Sequence, residues 1–312
     1  MTVETPAGAE PGGAVAVAQQ RRPGWAWGLV LVAPAFAFFA IWNIIPLLWM
    51  LGLSFYRYTL TFGLAPVFTG LSNYARVVES FRMWQNFGLT FIFMVAVVGT
   101  ETLLGVLLGF AFWNSQRLPG RRLALTFIFS PMILTSVAAG TYFKLIYDPT
   151  FGVLPYYLHT WFGISTNLLG SAGTALVAVM AVDVWMWTPF MLLMTLAALG
   201  SVPKAALEAA AVDRLGFWQR LRYVIWPYGK FILVLGILLR TIDAFKTFGL
   251  IAAMTQGGPG NATELISMTL YRSAFNDFSM GRASALAIIT LLIAVAFTSL
   301  YLRVLKNRTQ GV

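Results

Sequence analysis

The sequence predicts an all-α fold, a polytopic transmembrane helical bundle of about six spans, and three observations carry that expectation. Of 312 residues, 59% are hydrophobic and only 10% charged, with a mean hydropathy of +0.76. A soluble domain carries about 25% charged residues, so this chain lacks the polar side chains to cover a water-facing surface. Its apolar residues fall in runs long enough to cross about 30 Å of hydrocarbon at about 1.5 Å per helical residue. Short basic or polar stretches separate the runs.

Residues 1–24 are rich in Ala, Gly, Pro and Gln without an apolar period, and read as a disordered tail. Arg21 and Arg22 precede the first apolar run, Trp25 to about Tyr56. That run far exceeds the apolar stretch of a signal peptide, and the tail before it carries Glu4 and Glu10, so a first span is the better reading. Pro34 and Pro46 are expected to bend it, with neighbouring helices satisfying the freed carbonyls. Five further spans are expected over Asn86–Asn114, Leu123–Tyr147, Thr174–Gly200, Val224–Met254 and Gly281–Leu302. Residues 25–304 thus form one transmembrane domain, and 305–312 a short tail.

Charge placement orients the bundle. The N-terminal tail, the Ser115–Arg122 and Ser201–Tyr223 loops and the C-terminal tail share one side. They hold Arg21, Arg22, Arg117, Arg121, Arg122, Lys204, Arg214, Arg220, Arg222, Arg303, Lys306 and Arg308. The other side holds Arg57, Arg76, Arg82, Arg272 and Arg282 beside Glu79, Asp148, Glu264 and Asp277. Short loops rich in Lys and Arg stay in the cytoplasm, so both termini are expected inside. The net charge of +10 therefore reflects topology and is no nucleic-acid footprint.

Several chemistries are excluded. With no Cys and one His (His159), disulfides, thiolate zinc sites and Cys-His dyads are ruled out. A phosphate-cradling P-loop is absent, since Gly229-Lys230 is followed by Phe231 and lacks the glycine loop. No Ser-His-Asp set is available around His159. The chain reads as no enzyme, and no cofactor or metal is implied.

The loop Ser201–Tyr223 carries the one distinctive pattern. Ser201 is placed to cap a first short helix, Pro203 is tolerated in its first turn, and an Ala-rich stretch follows. Gly216 breaks the run, and Phe217 to Tyr223 form a second short helix leading into the next span. Ala209, Ala210 and Ala211 are small enough for another protein to approach the backbone. From pattern alone, a solvated amphipathic connector is the default reading.

Glu208-Ala209-Ala210, then Asp213, then Val224-x-Trp226-Pro227, resembles the EAA loop of binding-protein-dependent ABC importer permeases. Arg214 stands where that family has Gly, and Trp226 where Leu is usual. Gly70-Leu71-Ser72-Asn73-Tyr74, Trp187-Thr188-Pro189-Phe190, Arg240–Phe248 and Thr255–Gly260 resemble, in order and spacing, the maltose and glycerol-phosphate branch of the same family. The resemblance implies the ABC type I importer fold. It implies partners as well: two cytoplasmic ATP-binding subunits, a second permease subunit that in this family is usually a distinct chain, and an outer solute-binding protein. It assigns Glu208, Ala209, Ala210, Asp213, Arg214 and Gly216 to ATPase coupling. The Gly position calls for a turn, and Gly216 is expected to absorb the irregular backbone in place of Arg214. The first helix is expected to end between Asp213 and Leu215.

Ionisable groups at membrane depth mark a solute path or a helix lock. Glu101, Asp183, Arg240, Asp243 and Lys246 are such groups, and Asp243 can neutralise either basic neighbour on its helix. Asp183 lies one turn before Trp187, and a carboxylate beside an aromatic face suits sugar hydroxyls. Glu101, Asp183, Trp187 and Asp243 are therefore the candidate path residues. The competing function is a secondary transporter or channel without an ATPase partner, for which paired broken helices or inverted repeats would be the signature.

Overall fold

The computed structural model describes the backbone of residues 25–62, 65–114 and 119–309, with side chains over 29–61, 65–113 and 119–303. The tail 1–24 with Arg21 and Arg22, Arg117 in the first inner loop, and residues 310–312 lie outside the described residues, as do the side chains of Lys306 and Arg308. The chain divides into two units, Met1–Met50 and Leu51–Val312.

In the first unit, α1 (Trp25–Phe39) runs through a π turn, Ala40–Ile44, into α2 (Ile45–Leu53). Pro46 explains the π turn. A proline ring collides with the carbonyl four residues back, here Trp42, and a widened turn relieves that collision without ending the helix. Leu31, Phe36, Trp42 and Trp49 are exposed, as expected of a helix whose apolar surface meets lipid or another subunit.

The second unit opens with a two-stranded hairpin, β1 (Tyr56–Arg57) and β2 (Val67–Phe68), and the short helix α3 (Ser72–Glu79). Asn73 ties these pieces together by donating to the Ser54 and Tyr56 carbonyls, both at 2.9 Å. Then come α4 (Phe81–Asn114), α5 (Arg121–Phe129), α6 (Ser136–Ile146), α7 (Val153–Phe162) and α8 (Ala172–Gly200). The remaining helices are α9 (Lys204–Val212), α10 (Phe217–Arg220), α11 (Trp226–Phe245), α12 (Gly249–Met254), α13 (Ile266–Tyr271) and α14 (Met280–Thr309).

Two of the expected spans take a different form. The stretch Leu123–Tyr147 is not one rod: α5 and α6 are bent by 100° across Ser130–Thr135. Pro131 opens a 3-10 turn, Leu134 and Thr135 are extended, and the Thr135 hydroxyl accepts from the Ala138 N–H to start α6 afresh. Pro131 is buried at this break, while Met132, Ile133 and Leu134 beside it are exposed. The stretch Val224–Met254 is also broken, because α11 ends at Phe245 and the chain turns over Lys246–Phe248 before α12. At its other end this helix begins early: α10 passes through a π turn, Leu221–Ile225, directly into α11. Pro227 sits four residues after Tyr223 and repeats the logic of Pro46. Among the described residues, five helices are long and apolar enough to cross a membrane, or six with the bent pair counted as one span.

The core lies where α4, α8 and α11 meet, with α12 added at one end. Phe93 and Val97 of α4, Val179, Val182 and Met186 of α8, Ala244 and Phe245 of α11, and Leu250 and Ile251 of α12 form its buried cluster. Glycines let the three long helices approach. A Cβ on Gly105 would lie 2.5 Å from that of Met191, and one on Gly236 would lie 2.7 Å from Met194 Cγ. Both distances are shorter than side chains permit, so these helix faces touch backbone to side chain.

Candidate functional site

The loop between α8 and α11 folds as two short helices. Ser201 does not cap the first of them. It closes α8 instead, its hydroxyl donating to the Ala198 carbonyl at 2.7 Å, and the residue preceding α9 is Pro203. Helix α9 ends at Val212 with Asp213 as its cap. The Leu215 N–H then donates to Ala210 O at 3.0 Å, and the Arg214 N–H to Ala211 O at 3.1 Å. That crossed pair is a Schellman turn, and it places Arg214 in the left-handed region at φ 51°. Gly216 does not carry the irregular backbone as expected. It has φ −65° and ψ 164°, opens α10 as its cap, and donates its N–H to Gln219 Oε1 at 3.0 Å. The helix end and the helix start thus fall near the expected positions, but the strained residue is Arg214 itself. Six-to-one and five-to-two bonds enforce the turn whichever side chain stands there.

The faces of α9 are also decided by packing. Leu207 packs against Leu199, Val202 and Ile225, and Ala210 is buried, 2% exposed. Glu208, Ala209, Asp213 and Arg214 are exposed. Ala210 is therefore an internal packing residue of the loop and no part of its outer surface. The periodicity of an Ala-rich stretch does not show this, because every position is small. Val212 and Trp218, 82% and 76% exposed, share the outer surface of the loop. The sequence reading passes over them, although two large apolar side chains in a polar loop are an available signal. Phe217 packs edge-on against Phe110 of α4 at 5.8 Å, anchoring the loop to the inner end of that span.

The membrane-depth candidates converge on one residue, Arg240 of α11. Its Nε and Nη2 donate to the two carboxylate oxygens of Glu101 on α4, at 2.7 and 2.9 Å. Nη2 also donates to Asp183 on α8, and Nη1 donates to Asp243 at 3.2 Å. The guanidinium carbon lies 4.9 Å from the Trp187 ring centroid. Arg240 and Glu101 have no exposed side-chain surface, Asp183 has 3%, and Asp243 has 40%. Glu101, Asp183, Trp187 and Asp243 are thus brought together, with Arg240 at the centre. Asp243 takes Arg240 as its partner, and Lys246 is exposed beyond the end of α11. Glu101 and Asp183 face Arg240 rather than open space, and Trp187 offers one ring face to the cation. Buried pairs of this kind add little net stability over apolar packing, but removing one partner costs about 3–5 kcal/mol.

A second ionic group holds the loop between α12 and α13. Glu264 is buried and accepts from Arg82 at 3.2 Å and from Arg272 at 2.9 Å. Arg272 also donates to the Gln256 carbonyl at 2.5 Å, holding the Thr255–Gly260 segment against α13.

No protein-family model matches the chain. It is 33% identical over 285 residues to the trehalose/maltose transport system permease protein MalF of Thermococcus litoralis, a match covering 90% of this chain and 94% of that one. It is 29% identical to the sn-glycerol-3-phosphate transport system permease protein UgpA of Yersinia pestis, over 93% of this chain and 98% of the relative. The fold matches a chain of a bacterial ABC transporter importing the acidic polysaccharide alginate, with a TM-score of 0.76 at 17% identity, over 91% and 96% of the two chains. With the match at 33% identity over 90% of its length, the chain belongs to the permease subunits of binding-protein-dependent ABC transporters, carbohydrate-uptake type.

Proposed function

We propose that this permease is one of two distinct membrane subunits of an importer for a carbohydrate-type solute, driven by two cytoplasmic ATP-binding subunits and supplied by an outer solute-binding protein. It lies in the cell (inner) membrane of a prokaryote with both termini in the cytoplasm. The observation that carries this reading is the loop 201–223. It is a compact two-helix knob presenting Glu208, Ala209, Val212 and Trp218, and it continues through α10 into α11. A cleft on an ATPase can grip such a knob and move the span behind it. Relatives named for trehalose/maltose and glycerol-3-phosphate transport, and a structural neighbour in complex with a pentasaccharide-bound periplasmic protein, support the solute class and the binding-protein partner. Asp243 and Trp187 are the cluster members with surface left for a solute, while Glu101 and Asp183 serve the path by holding Arg240.

Purification of the tagged chain from its native membrane tests the reading. An ATP-binding subunit and a second permease are expected to copurify. Ala209→Trp, on the outer face of α9, is expected to lower ATPase recovery roughly tenfold, the scale of one lost interfacial contact. Recovery of a lone homo-oligomer, or full ATPase recovery with Ala209→Trp, defeats the proposal.

A further inference from the structure

We propose that Arg240 is the positioning residue that carries movement of the coupling loop to the outer halves of α4 and α8. The inference rests on the coupling role given above to the loop 201–223. Four observations support it. The loop leaves from α8 at Gly200 and returns through α10 and a π turn into α11, so both its ends belong to the same pair of spans. Arg240 lies 23 residues beyond the start of α10, about 35 Å along a helix. Between the loop and Arg240, close contacts hold the three helices: Gly229 against Ala198, Gly236 against Met194, and Gly105 against Met191. Outward of that seam, the directional contacts among α4, α8 and α11 in the described residues are the bonds from Arg240 to Glu101 on α4 and Asp183 on α8, while α4 is also bonded to α13 through Asn86 and Thr90. Five residues later α11 ends.

The chemistry distinguishes this clamp from the apolar core around it. Burial of Phe93, Val97, Val179 and Val182 is non-directional, and such faces can slide by a small shear at little cost. A guanidinium that gives a carboxylate two parallel bonds along one edge fixes distance, rotation and register together. With Arg240 in place, α4, α8 and α11 move as one body when the loop is displaced. Without it, the glycine seam still holds the inner ends, and the outer ends lag behind.

The native chain has no Cys, so paired spin labels can be placed without background. Phe91→Cys on α4 and Val177→Cys on α8 are at exposed positions outward of the cluster. Their separation is measured in the complete transporter, without nucleotide and with MgATP trapped by vanadate. In the native background a narrow distribution is expected that stays the same in both states. In Arg240→Lys, which keeps the charge but loses the fork, the distribution is expected to stay narrow without nucleotide and roughly double its width when nucleotide is trapped, as small helix shears do. A second variant, Arg240→Gln with Glu101→Gln, removes one charge of each sign and is expected to behave alike. An unchanged width with trapped nucleotide overturns the proposal. So does a width already doubled without nucleotide, which marks a purely structural role, and so does failure of both variants to assemble. A single label at Ala206→Cys reports the loop separately. If it shows no nucleotide response in the native background, the coupling reading fails. If it responds while the α4–α8 pair does not change in Arg240→Lys, only the present inference fails.

Discussion

Arg214 holds a conformation that L side chains avoid, at φ 51°, with a cost of about 1–2 kcal/mol relative to glycine. The chain tolerates it because the Schellman bonds from the Arg214 and Leu215 N–H groups satisfy two helix-end carbonyls. Arg214→Gly is therefore expected to stabilise the protein by about 1 kcal/mol, read as a raised midpoint of thermal unfolding in detergent. Gly216 calls for no such freedom. A Cβ there meets only Gln219 Oε1, at 3.7 Å, an ordinary contact, and its φ suits any residue. Gly216→Ala is expected to leave the same midpoint within about 0.5 kcal/mol of the native protein. A loss exceeding that of any change at position 214 contradicts this assignment of the turn.

At the scale of elements, glycine separates helices that pack from helices that only pass. Gly105 on α4 lies against Met191 of α8, whereas a Cβ added at Gly88 on the same helix would meet nothing within 4 Å. Gly105→Leu is expected to push α4 from α8 and cost about 3 kcal/mol or more, with loss of the monodisperse peak on size exclusion in detergent. Gly88→Leu is expected to leave that peak intact. Equal behaviour of the two variants contradicts the packing described. The bent pair α5 and α6 follows a different rule. Each arm alone is too short to cross the bilayer, and the break is stabilised by local chemistry: Pro131, which lacks an N–H, and the Thr135 hydroxyl cap on α6. The inward turn of Ala210 belongs to this scale too. It leaves Glu208, Ala209, Val212 and Trp218 exposed on the outside of the loop, which is why the proposed docking is tested at Ala209.

For the whole molecule, the Lys and Arg distribution leads us to place the loop 201–223 with both termini on the cytoplasmic side. A single Ala206→Cys in intact cells is expected to resist a membrane-impermeant maleimide and to react once the membrane is opened. Labelling in intact cells inverts the topology and removes the loop from any cytoplasmic ATPase. The two ionic groups also join different parts of the fold. Glu264 with Arg82 and Arg272 braces the loop between α12 and α13, while Arg240 joins α4, α8 and α11.

Composition, run length and charge placement determined the all-helical membrane class, because hydrocarbon admits no unpaired backbone and so leaves helices as the economical answer for apolar runs of this length. The Ala-rich run and Gly216 located the two helices of the loop, since those signals are local and survive in one dimension, whereas the Ser201 hydroxyl closes α8 and the left-handed turn falls on Arg214. What a linear reading could not supply was rotation and partnership. Whether Ala209 or Ala210 faces outward depends on how α9 is turned, and Leu207 fixes that by packing on Leu199, Val202 and Ile225 from other elements. Arg240, Glu101 and Asp183 are separated by 139 and 57 residues, and only the packing of α4 and α8 against α11 makes them one cluster. The breaks at Thr135 and Lys246 were invisible for a related reason. Hydropathy averages over a window, whereas a helix ends on the hydrogen bonds of a few residues, and those are settled when tertiary neighbours decide which carbonyls need a partner.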